Sequence, residues 1–254
     1  MEIGSLEEFE YDKEQEKYLN KIVTHFDRVP GKMIRSKLLL NSMERAGQVR
    51  KMLLDDALPC AKVVMRGIEM IHNASLVHDD LLDNNCVRRG VNSLHEEYDN
   101  NIALVTGDVL FARALTILGK LNDGYIIANA LSAFRHMAEG QFAESAWKSN
   151  NYTPTIEEIV DVLRRKTGAL MGFSVRLGTY LALRDQFSPE LVEDLDDIAK
   201  RGEYYGIAYQ IRDDVDDMDE DALNGTQTIP VIYGKEAALA LARRFEYESA
   251  INFS

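Results

Sequence analysis

Apolar residues recur every three to four positions over most of this sequence, and the period-two alternation typical of half-buried strands is absent. The segment 60–83 has this spacing throughout, which indicates a long, mostly buried helix, and Pro59 stands where such a helix can begin. Segments 101–121 and 125–147 have the same pattern. We therefore predict an all-α chain in which several helices exceed the usual length of about 11–12 residues.

Capping residues mark two further helix starts. Thr155 is followed three positions later by Glu158, which is the spacing of a capping box, and we expect a helix from there to Leu183. Ser188 and Pro189 begin the next helical segment, because proline is favoured in the first turn of a helix. The apolar spacing continues from there, as one helix or as two, into an acidic run.

Composition adds a strong negative charge to this picture. The chain has 254 residues, with 42 Asp plus Glu against 29 Lys plus Arg, and its net charge is −13. This balance argues against nucleic acid as a partner, because phosphate backbones are bound by clustered cations. An anionic small substrate requires a metal ion or a local basic cluster to offset the repulsion. No repeat, low-complexity tract or linker divides the sequence, and we expect one domain over residues 1–254.

The sequence pattern lacks the usual marks of a secreted or membrane protein. The N-terminal stretch is charged and has no apolar segment of the signal-peptide kind, and no apolar run approaches the ~18 residues that span a bilayer. Cys60 and Cys86 lie far apart without metal-ligand spacing, and we expect both to be reduced thiols. These features predict a cytoplasmic protein with no transmembrane segment.

Two clusters of aspartates lie at the C-terminal ends of predicted apolar helices. The runs DDLLD and DDVDD contain Asp79, Asp80 and Asp83, then Asp213, Asp214 and Asp217. Residues four apart on a helix lie on one face about 5–6 Å apart, so each run can present two carboxylates together. One such run is more often a solvated acidic face. Two of them at helix C-termini, where the helix dipole is already negative, are unfavourable unless a cation binds there.

Basic residues near these clusters indicate which cation and which substrate. Carboxylate oxygens suit Mg²⁺, which typically binds one or two carboxylates together with phosphate oxygens of a substrate. Arg88-Arg89-Gly90 follows the first cluster, the run GKMIR at 31–35 precedes the apolar helices, and Lys166-Thr167 lies in an apolar stretch. Each of these cations alone is more often an ordinary surface residue. Together with two acidic clusters they predict a site for magnesium and a phosphorylated substrate.

These motifs resemble the trans-isoprenyl diphosphate synthase (polyprenyl synthetase) family, closest to its geranylgeranyl or longer-chain diphosphate synthases. The resemblance rests on GKMIR, IEMIHNASLVHDDLLDNNCVRRG, VTGDVLFARAL, KTGAL, GIAYQIRDDVDD and TQTIPVIYG, which occur in this order from about residue 31 to 234. It implies an all-α, isoprenoid synthase-type helical bundle around a deep central apolar cavity, usually as a homodimer. It also implies three Mg²⁺ ions at the mouth of that cavity, which stabilise diphosphate as it leaves.

The resemblance implies roles for individual residues. Asp79 and Asp83 hold two metal ions, while Asp213, Asp214 and Asp217 hold the third. The residues implied to contact the allylic diphosphate are Arg88, Lys166, Thr167 and Gln210. Those implied to hold the diphosphate of isopentenyl diphosphate are Lys32, Arg35, His72 and Arg89. The implied catalytic set is Asp79, Asp80, Asp83, Arg88, Lys166, Asp213 and Asp214. Without the motif, a histidine such as His72 on an apolar helix is more often a core residue.

The reaction implied is the condensation of isopentenyl diphosphate with an allylic diphosphate by Mg²⁺-assisted ionisation, in a cavity that excludes water. Ala74 and Ser75 lie five and four residues before Asp79, where aromatic residues stop chain growth near fifteen carbons in this family. Two small residues there predict a product of C20 or longer. The alternative is that another bulky residue, such as Met70 or Phe111, closes the cavity.

One segment departs from the family pattern, and two other functions remain open. The loop after Asp217 is short, and Thr226 stands at a position where the family has a lysine that contacts the allylic diphosphate. A class I terpene cyclase-like enzyme is one alternative, although a cyclase needs no isopentenyl diphosphate site. A regulatory subunit of a heteromeric synthase is the other, and both intact aspartate clusters argue against it.

Overall fold

The described part of the chain is almost entirely helical. The computed structural model describes residues 13–25, 31–50, 57–186 and 188–251, and most of the charged N-terminal stretch lies outside these ranges. The helices are α1 (Lys13–Val23), α2 (Ile34–Arg50), α3 (Leu58–Asp83), α4 (Leu94–Glu97), α5 (Asn100–Gly119), α6 (Gly124–Asn150), α7 (Ile156–Leu163), α8 (Ala169–Leu183), α9 (Pro189–Asp216), α10 (Met218–Leu223), α11 (Ile229–Tyr233) and α12 (Lys235–Ser249). The all-α class is confirmed.

The helix starts predicted from capping residues are confirmed. The Thr155 side chain accepts the Glu158 N–H and the Glu158 carboxylate accepts the Thr155 N–H, so the capping box that begins α7 is complete. The Ser188 hydroxyl accepts the Leu191 N–H at the start of α9, where Pro189 occupies the first turn. The stretch expected to continue to Leu183 does so, but a π-helical turn at Arg164–Gly168 separates α7 from α8.

The chain contacts divide the protein into two compact units. Among the described residues, one comprises 13–25, 31–32 and 73–112, and the other comprises 33–50, 57–72, 113–186 and 188–251. The boundaries fall within α3 and α5, which each contribute residues to both units. The single domain over 1–254 and the deep central cavity stay predictions.

A short antiparallel hairpin follows α3 in the first unit. Its strands are β1 (Val87–Arg88) and β2 (Val91–Asn92), with Val87 opposite Asn92 and Arg88 opposite Val91. The buried His25, just after α1, holds the hairpin through a 3.0 Å hydrogen bond between its Nε2 and the Asn92 carbonyl.

Glycines set the close packing of the second unit. A Cβ at Gly178 on α8 would lie 2.1 Å from the Leu39 carbonyl oxygen of α2, so these helices touch backbone to backbone. Where α9 passes α8 and the π turn before it, a Cβ at Gly202 would lie 2.8 Å from the Gly172 Cα, and one at Gly206 would lie 2.8 Å from the Gly168 Cα. Segments that approach this closely cannot carry side chains at these positions, and their relative register is therefore tightly specified.

One helix in the described part of the chain, α5, is long and apolar enough to cross a membrane by length and composition. Core helices of soluble proteins pass the same test, and α5 contains both Asp108 and Arg113. Its length and hydropathy are thus only weak evidence for a membrane-spanning helix, and the absence of a transmembrane segment stays a prediction.

Candidate active site

The first aspartate cluster occupies the last turn of α3. Asp79 is half-buried and Asp83 is exposed, whereas Asp80 is only 2% exposed. The Arg88 Nε lies 2.6 and 2.7 Å from the two carboxylate oxygens of Asp80, and the Arg88 Nη2 lies 2.5 Å from Oδ1. Asp80 is therefore the buried aspartate of this motif, and its carboxylate holds an arginine.

The turn of the hairpin presents the second arginine of the motif. Arg89 and Gly90 both have positive φ, at 53° and 81°, which is the conformation of a type I′ turn between two short strands. The Arg89 guanidinium lies against Gly31, where an added Cβ would come within 2.7 Å of its Nη2. Gly31, the first residue of GKMIR, and Arg89 of the RRG motif thus meet within the first unit. A small pocket there is lined in part by His25, Asp80, Arg88 and Arg89.

The charge balance around Arg88 favours its cationic form. Burial alone lowers the pKa of the Arg88 guanidinium, but the hydrogen bonds and negative charge of Asp80, with the charges of Asp79 and Asp83, raise the pKa overall. Arg88 is therefore a permanent cation next to the first aspartate cluster, as a group that binds a diphosphate must be.

The second aspartate cluster lies at the C-terminus of α9 and shows the same division of roles. Asp213 and Asp217 are exposed, while Asp214 is 7% exposed. The Gln210 side-chain amide donates to Asp214 Oδ1 at 2.9 Å, and Asp214 Oδ2 is buried without a hydrogen-bond partner. In each cluster the second aspartate of the DD pair is thus the buried one, held by a residue implied to contact diphosphate.

A hydrogen-bond chain connects this cluster to the π-helical turn. The Thr167 hydroxyl donates to Gln210 Oε1 at 3.1 Å, so Thr167, Gln210 and Asp214 are linked in sequence. The adjacent Lys166 Nζ lies 2.6 Å from the Glu144 carboxylate of α6. The sequence pattern predicted neither Glu144 as a partner nor the π turn. Glu144 is 22 residues from its partner, and nothing local distinguishes it from other acidic residues of α6.

Neighbouring carboxylates concentrate negative charge around the buried Asp214. Burial raises the pKa of Asp214 to about 7, and the nearby Asp221, Asp213 and Glu144 act in the same direction, while the hydrogen bond from Gln210 opposes them. Burial also raises the pKa of Asp221 to about 6, helped by the charges of Asp217, Glu220 and Glu144. A cation bound here would relieve this repulsion.

The carboxylates of the two clusters suit magnesium, although the described residues contain no preformed set of three metal ligands. In the described residues, no group of three or more His, Cys, Asp or Glu side chains is already arranged around one metal position. Mg²⁺ does not need such a group, because it is usually held by one or two carboxylates, several waters and substrate phosphates. The buried, unpartnered Asp214 Oδ2 and the all-oxygen ligands of both clusters are the observations that fit it.

The short segment after the second cluster forms an ordered helix. Residues 218–223 form α10, and the left-handed Gly225 follows it, at φ 68°. The Thr226 N–H donates to the Asp221 carbonyl, closing the end of this helix. Within 217–234 no lysine occurs, so the segment adds carboxylates where the resemblance implies a cation.

The remaining predicted site residues are distributed over α2, α3 and the segment before α2. Lys32 is exposed, while Arg35 on α2 and His72 on α3 are half-buried. Ala74 is buried at 3% exposure and Ser75 is half-buried, both on α3. Both cysteines, Cys60 and Cys86, are free thiols, as predicted.

The sequence model of the polyprenyl synthetase family matches residues 16–233. The chain belongs to this family. A short chain isoprenyl diphosphate synthase from Methanocaldococcus jannaschii is 37% identical over 169 residues, which cover 65% of this chain and 48% of that protein. A geranylgeranyl pyrophosphate synthase from Geoglobus acetivorans is 30% identical over 246 residues, covering 90% of this chain and 72% of that protein.

The fold of the family is also confirmed by a solved structure. A geranyltransferase from Helicobacter pylori, solved in complex with magnesium and isoprenyl diphosphate, matches with a TM-score of 0.75 and 24% identity. The match covers 96% of this chain and 82% of that chain. The protein thus has the isoprenoid synthase fold of a polyprenyl synthetase, while it spans about half the length of the Methanocaldococcus relative.

Proposed function

We propose that this polyprenyl synthetase family member is a trans-prenyltransferase that condenses isopentenyl diphosphate with an allylic diphosphate. The observation that carries the proposal is the repeated pairing at the two clusters. Asp80 binds Arg88 at the end of α3, and Asp214 binds Gln210 at the end of α9. Each aspartate cluster is therefore built together with a residue of the proposed allylic diphosphate site.

Magnesium is the proposed cofactor, with three ions as the resemblance implies. Asp79 and Asp83 would hold two of them, and Asp213, Asp214 and Asp217 the third. When bound, the metal stabilises the negative charge that develops on the departing diphosphate. The family relative solved with magnesium and isoprenyl diphosphate supports the use of a divalent cation.

The protein side chains would bind and orient the two substrates. Arg88, Lys166, Thr167 and Gln210 would contact the allylic diphosphate, and their prearranged contacts with acidic or amide partners limit the reorganisation needed on binding. Lys32, Arg35, His72 and Arg89 would hold the diphosphate of isopentenyl diphosphate. The allylic C–O bond breaks with release of diphosphate, and the alkene of isopentenyl diphosphate attacks the allylic carbon. Transfer of a proton to the released diphosphate, the base that the resemblance implies, completes a five-carbon extension.

The proposed product is C20 or longer. Ala74 is buried and Ser75 is half-buried on α3, one turn before the first aspartate cluster. Small side chains there leave room for a growing apolar tail, whereas an aromatic ring would fill it. One of the two relatives is named a short chain isoprenyl diphosphate synthase and the other a geranylgeranyl pyrophosphate synthase. These two names are compatible with different product lengths.

A radiolabelled assay tests the proposal. The purified protein is incubated with labelled isopentenyl diphosphate and an allylic primer of five, ten or fifteen carbons, with either Mg²⁺ or a chelator. We expect chain elongation that requires Mg²⁺ and gives products of at least twenty carbons. A product that stops at fifteen carbons contradicts the proposed length only.

Two other outcomes would replace the proposal itself. Hydrocarbons formed from geranylgeranyl diphosphate alone would indicate a terpene cyclase-like enzyme. Inactivity that is relieved only by a second, different chain would indicate a regulatory subunit of a heteromeric synthase. The homodimer and the cytoplasmic location stay predictions.

A further inference from the structure

The residue at the N-cap position of α2 has a side chain that cannot cap a helix. Met33 precedes the first helical residue, and its carbonyl accepts the Lys37 N–H at 3.0 Å, so Met33 stands at the N-cap position. A methionine side chain has no oxygen that could accept the N–H of the third helical residue, Ser36, as a capping Ser, Thr, Asp or Asn does. Met33 also has a left-handed φ of 53°.

A glutamate from α3 fills this role. Glu69 Oε1 accepts the Ser36 N–H at 3.3 Å and the Ser36 hydroxyl at 2.6 Å. Ser36 is 2% exposed and Glu69 is half-buried, so the contact is shielded from water. The negative charge of a carboxylate also complements the positive end of the α2 dipole. This is a charge-assisted cap supplied across 33 residues of sequence.

The contact lies between two residues of the proposed isopentenyl diphosphate site. Arg35 directly precedes Ser36 in the first turn of α2, and His72 lies three residues after Glu69, one turn along α3. On another face of the same α2 turn, Ile34 packs against the cluster of Leu38 and Met171. The first turn of α2 is thus held by an apolar contact and by the Glu69–Ser36 bond.

We propose that Glu69 and Ser36 are a positioning pair that sets Arg35 for binding the diphosphate of isopentenyl diphosphate. The inference rests on the proposed function, but it assigns roles to two residues to which the resemblance gives none. Neither residue is assigned a contact with the diphosphate. Glu69 acts by ordering the helix turn that carries Arg35, and Ser36 is the group through which it acts.

Steady-state kinetics with each substrate varied separately test the pair. For Glu69→Ala we expect the KM for isopentenyl diphosphate to rise about tenfold, as loss of a charge-assisted bond predicts. Glu69→Gln should restore most of the affinity, because its amide oxygen can still accept both bonds. Ser36→Ala, which retains the backbone N–H, should have a smaller effect. The KM for the allylic diphosphate should stay within about twofold in all three.

Two further variants show whether the residues act together. Because both changes break the same bond, Ser36→Ala combined with Glu69→Ala should be no worse than Glu69→Ala alone. Ser42→Ala is the matched control, since the Ser42 hydroxyl bonds only within α2, to the Leu38 carbonyl at 2.8 Å. It should leave both KM values unchanged.

The possible failures are distinct. If the wild-type protein condenses its substrates but the Glu69 and Ser36 variants change both KM values equally, or neither, the positioning role is wrong. If the wild-type protein performs no condensation, the proposed function fails and the inference falls with it. If Glu69→Ala does not fold, Ser36→Ala and Glu69→Gln still test the positioning role. In each of them the KM for isopentenyl diphosphate is compared with the KM for the allylic diphosphate.

Discussion

At the scale of residues, the two aspartate clusters combine two kinds of carboxylate. Asp79, Asp83, Asp213 and Asp217 are at least partly accessible, as proposed metal ligands should be. Asp80 and Asp214 are buried and bind Arg88 and Gln210. Each of these two carboxylates thus holds a side chain that is proposed to bind diphosphate.

The raised pKa of Asp214 predicts a pH-dependent stability in the absence of metal. Its pKa is about 7 in the folded protein against an ordinary 3.8, so the folded state binds this proton more tightly than the unfolded state. The contribution to the free energy of unfolding is therefore full below pH 3.8 and is lost as the pH rises through 7.

The unfolding free energy of the wild-type protein should fall by at most a few kcal/mol between pH values of about 5.5 and 8. We expect Asp214→Asn to remove this fall. Urea unfolding with a chelator at both pH values measures it. The exposed Asp216 provides the control, and Asp216→Asn should behave like the wild-type protein. Equal pH dependence in the wild type and Asp214→Asn would contradict the assignment.

The ion pair of Arg88 with Asp80 predicts unequal effects for two adjacent arginines. Arg88→Met leaves a buried carboxylate unpaired, which costs about 3–5 kcal/mol of unfolding free energy. Arg89→Met, at an exposed position, should cost less than about 1 kcal/mol. Chemical denaturation measures both. Equal stability of the two variants would contradict a large contribution of the Arg88–Asp80 ion pair.

At the scale of elements, the glycine contact between the π turn and α9 positions two proposed site residues in the second unit. Gly168 is the last residue of the π turn that carries Lys166 and Thr167, and it faces Gly206 on α9, one turn before Gln210. The Thr167–Gln210 hydrogen bond therefore depends on how closely these two segments approach. A π turn inside a helix often marks a functional site, and here it carries two proposed substrate contacts.

Gly206→Ala should separate these segments. Its Cβ would lie 2.8 Å from the Gly168 Cα, and the backbone would have to move, at a cost of about 1–3 kcal/mol. We expect a lower melting temperature and weaker binding of the allylic diphosphate. Gly119→Ala is the control, because a Cβ there meets nothing within 4 Å. A melting temperature that falls equally in both variants would exclude the close contact as the cause.

The position of Ala74 on α3 predicts control of product length. Ala74→Phe places a ring at a buried position and should shorten the product, as seen by chromatography of the labelled chains. Arg66→Phe, at an exposed position two turns earlier on the same helix, should leave the product length unchanged. An unchanged product from a folded Ala74→Phe would show that another residue limits the chain.

At the scale of the whole molecule, the resemblance to the family predicts a homodimer, and α6 has a surface suited to one. Leu131 and Phe142 are 46% and 76% exposed, and they lie eleven residues apart, which places them on one face. The opposite face of α6 carries its buried residues, among them Ile126 and Met137. Both side chains are large, apolar and exposed, and we therefore take this face of α6 as the predicted dimer interface, although Arg135, which pairs with Glu139, also lies on it.

We expect Phe142→Glu to shift the protein from dimer to monomer, because a charge in an apolar interface is unfavourable. Light scattering coupled to size-exclusion chromatography measures the mass. Tyr247→Glu is the control at an equally exposed aromatic residue of α12, where we expect no change. A monomeric wild type, or a dimer that survives Phe142→Glu, would place the association elsewhere or exclude it.

The sequence by itself determined the helical class, the helix starts at Thr155 and Ser188, and the family. Periodicity and capping depend on residues within about four positions of each other, so both can be read locally. The family can be recognised from motifs that occur in a fixed order, and this order can be read without knowing how the helices pack.

Only the tertiary structure decided which aspartate of each cluster is buried, where the π turn lies, and which partners Lys166, Thr167 and Ser36 have. These contacts join residues 22, 43 and 33 positions apart. Burial and partner choice at such separations are set by how helices pack, and many sequences with the same local pattern could pack differently.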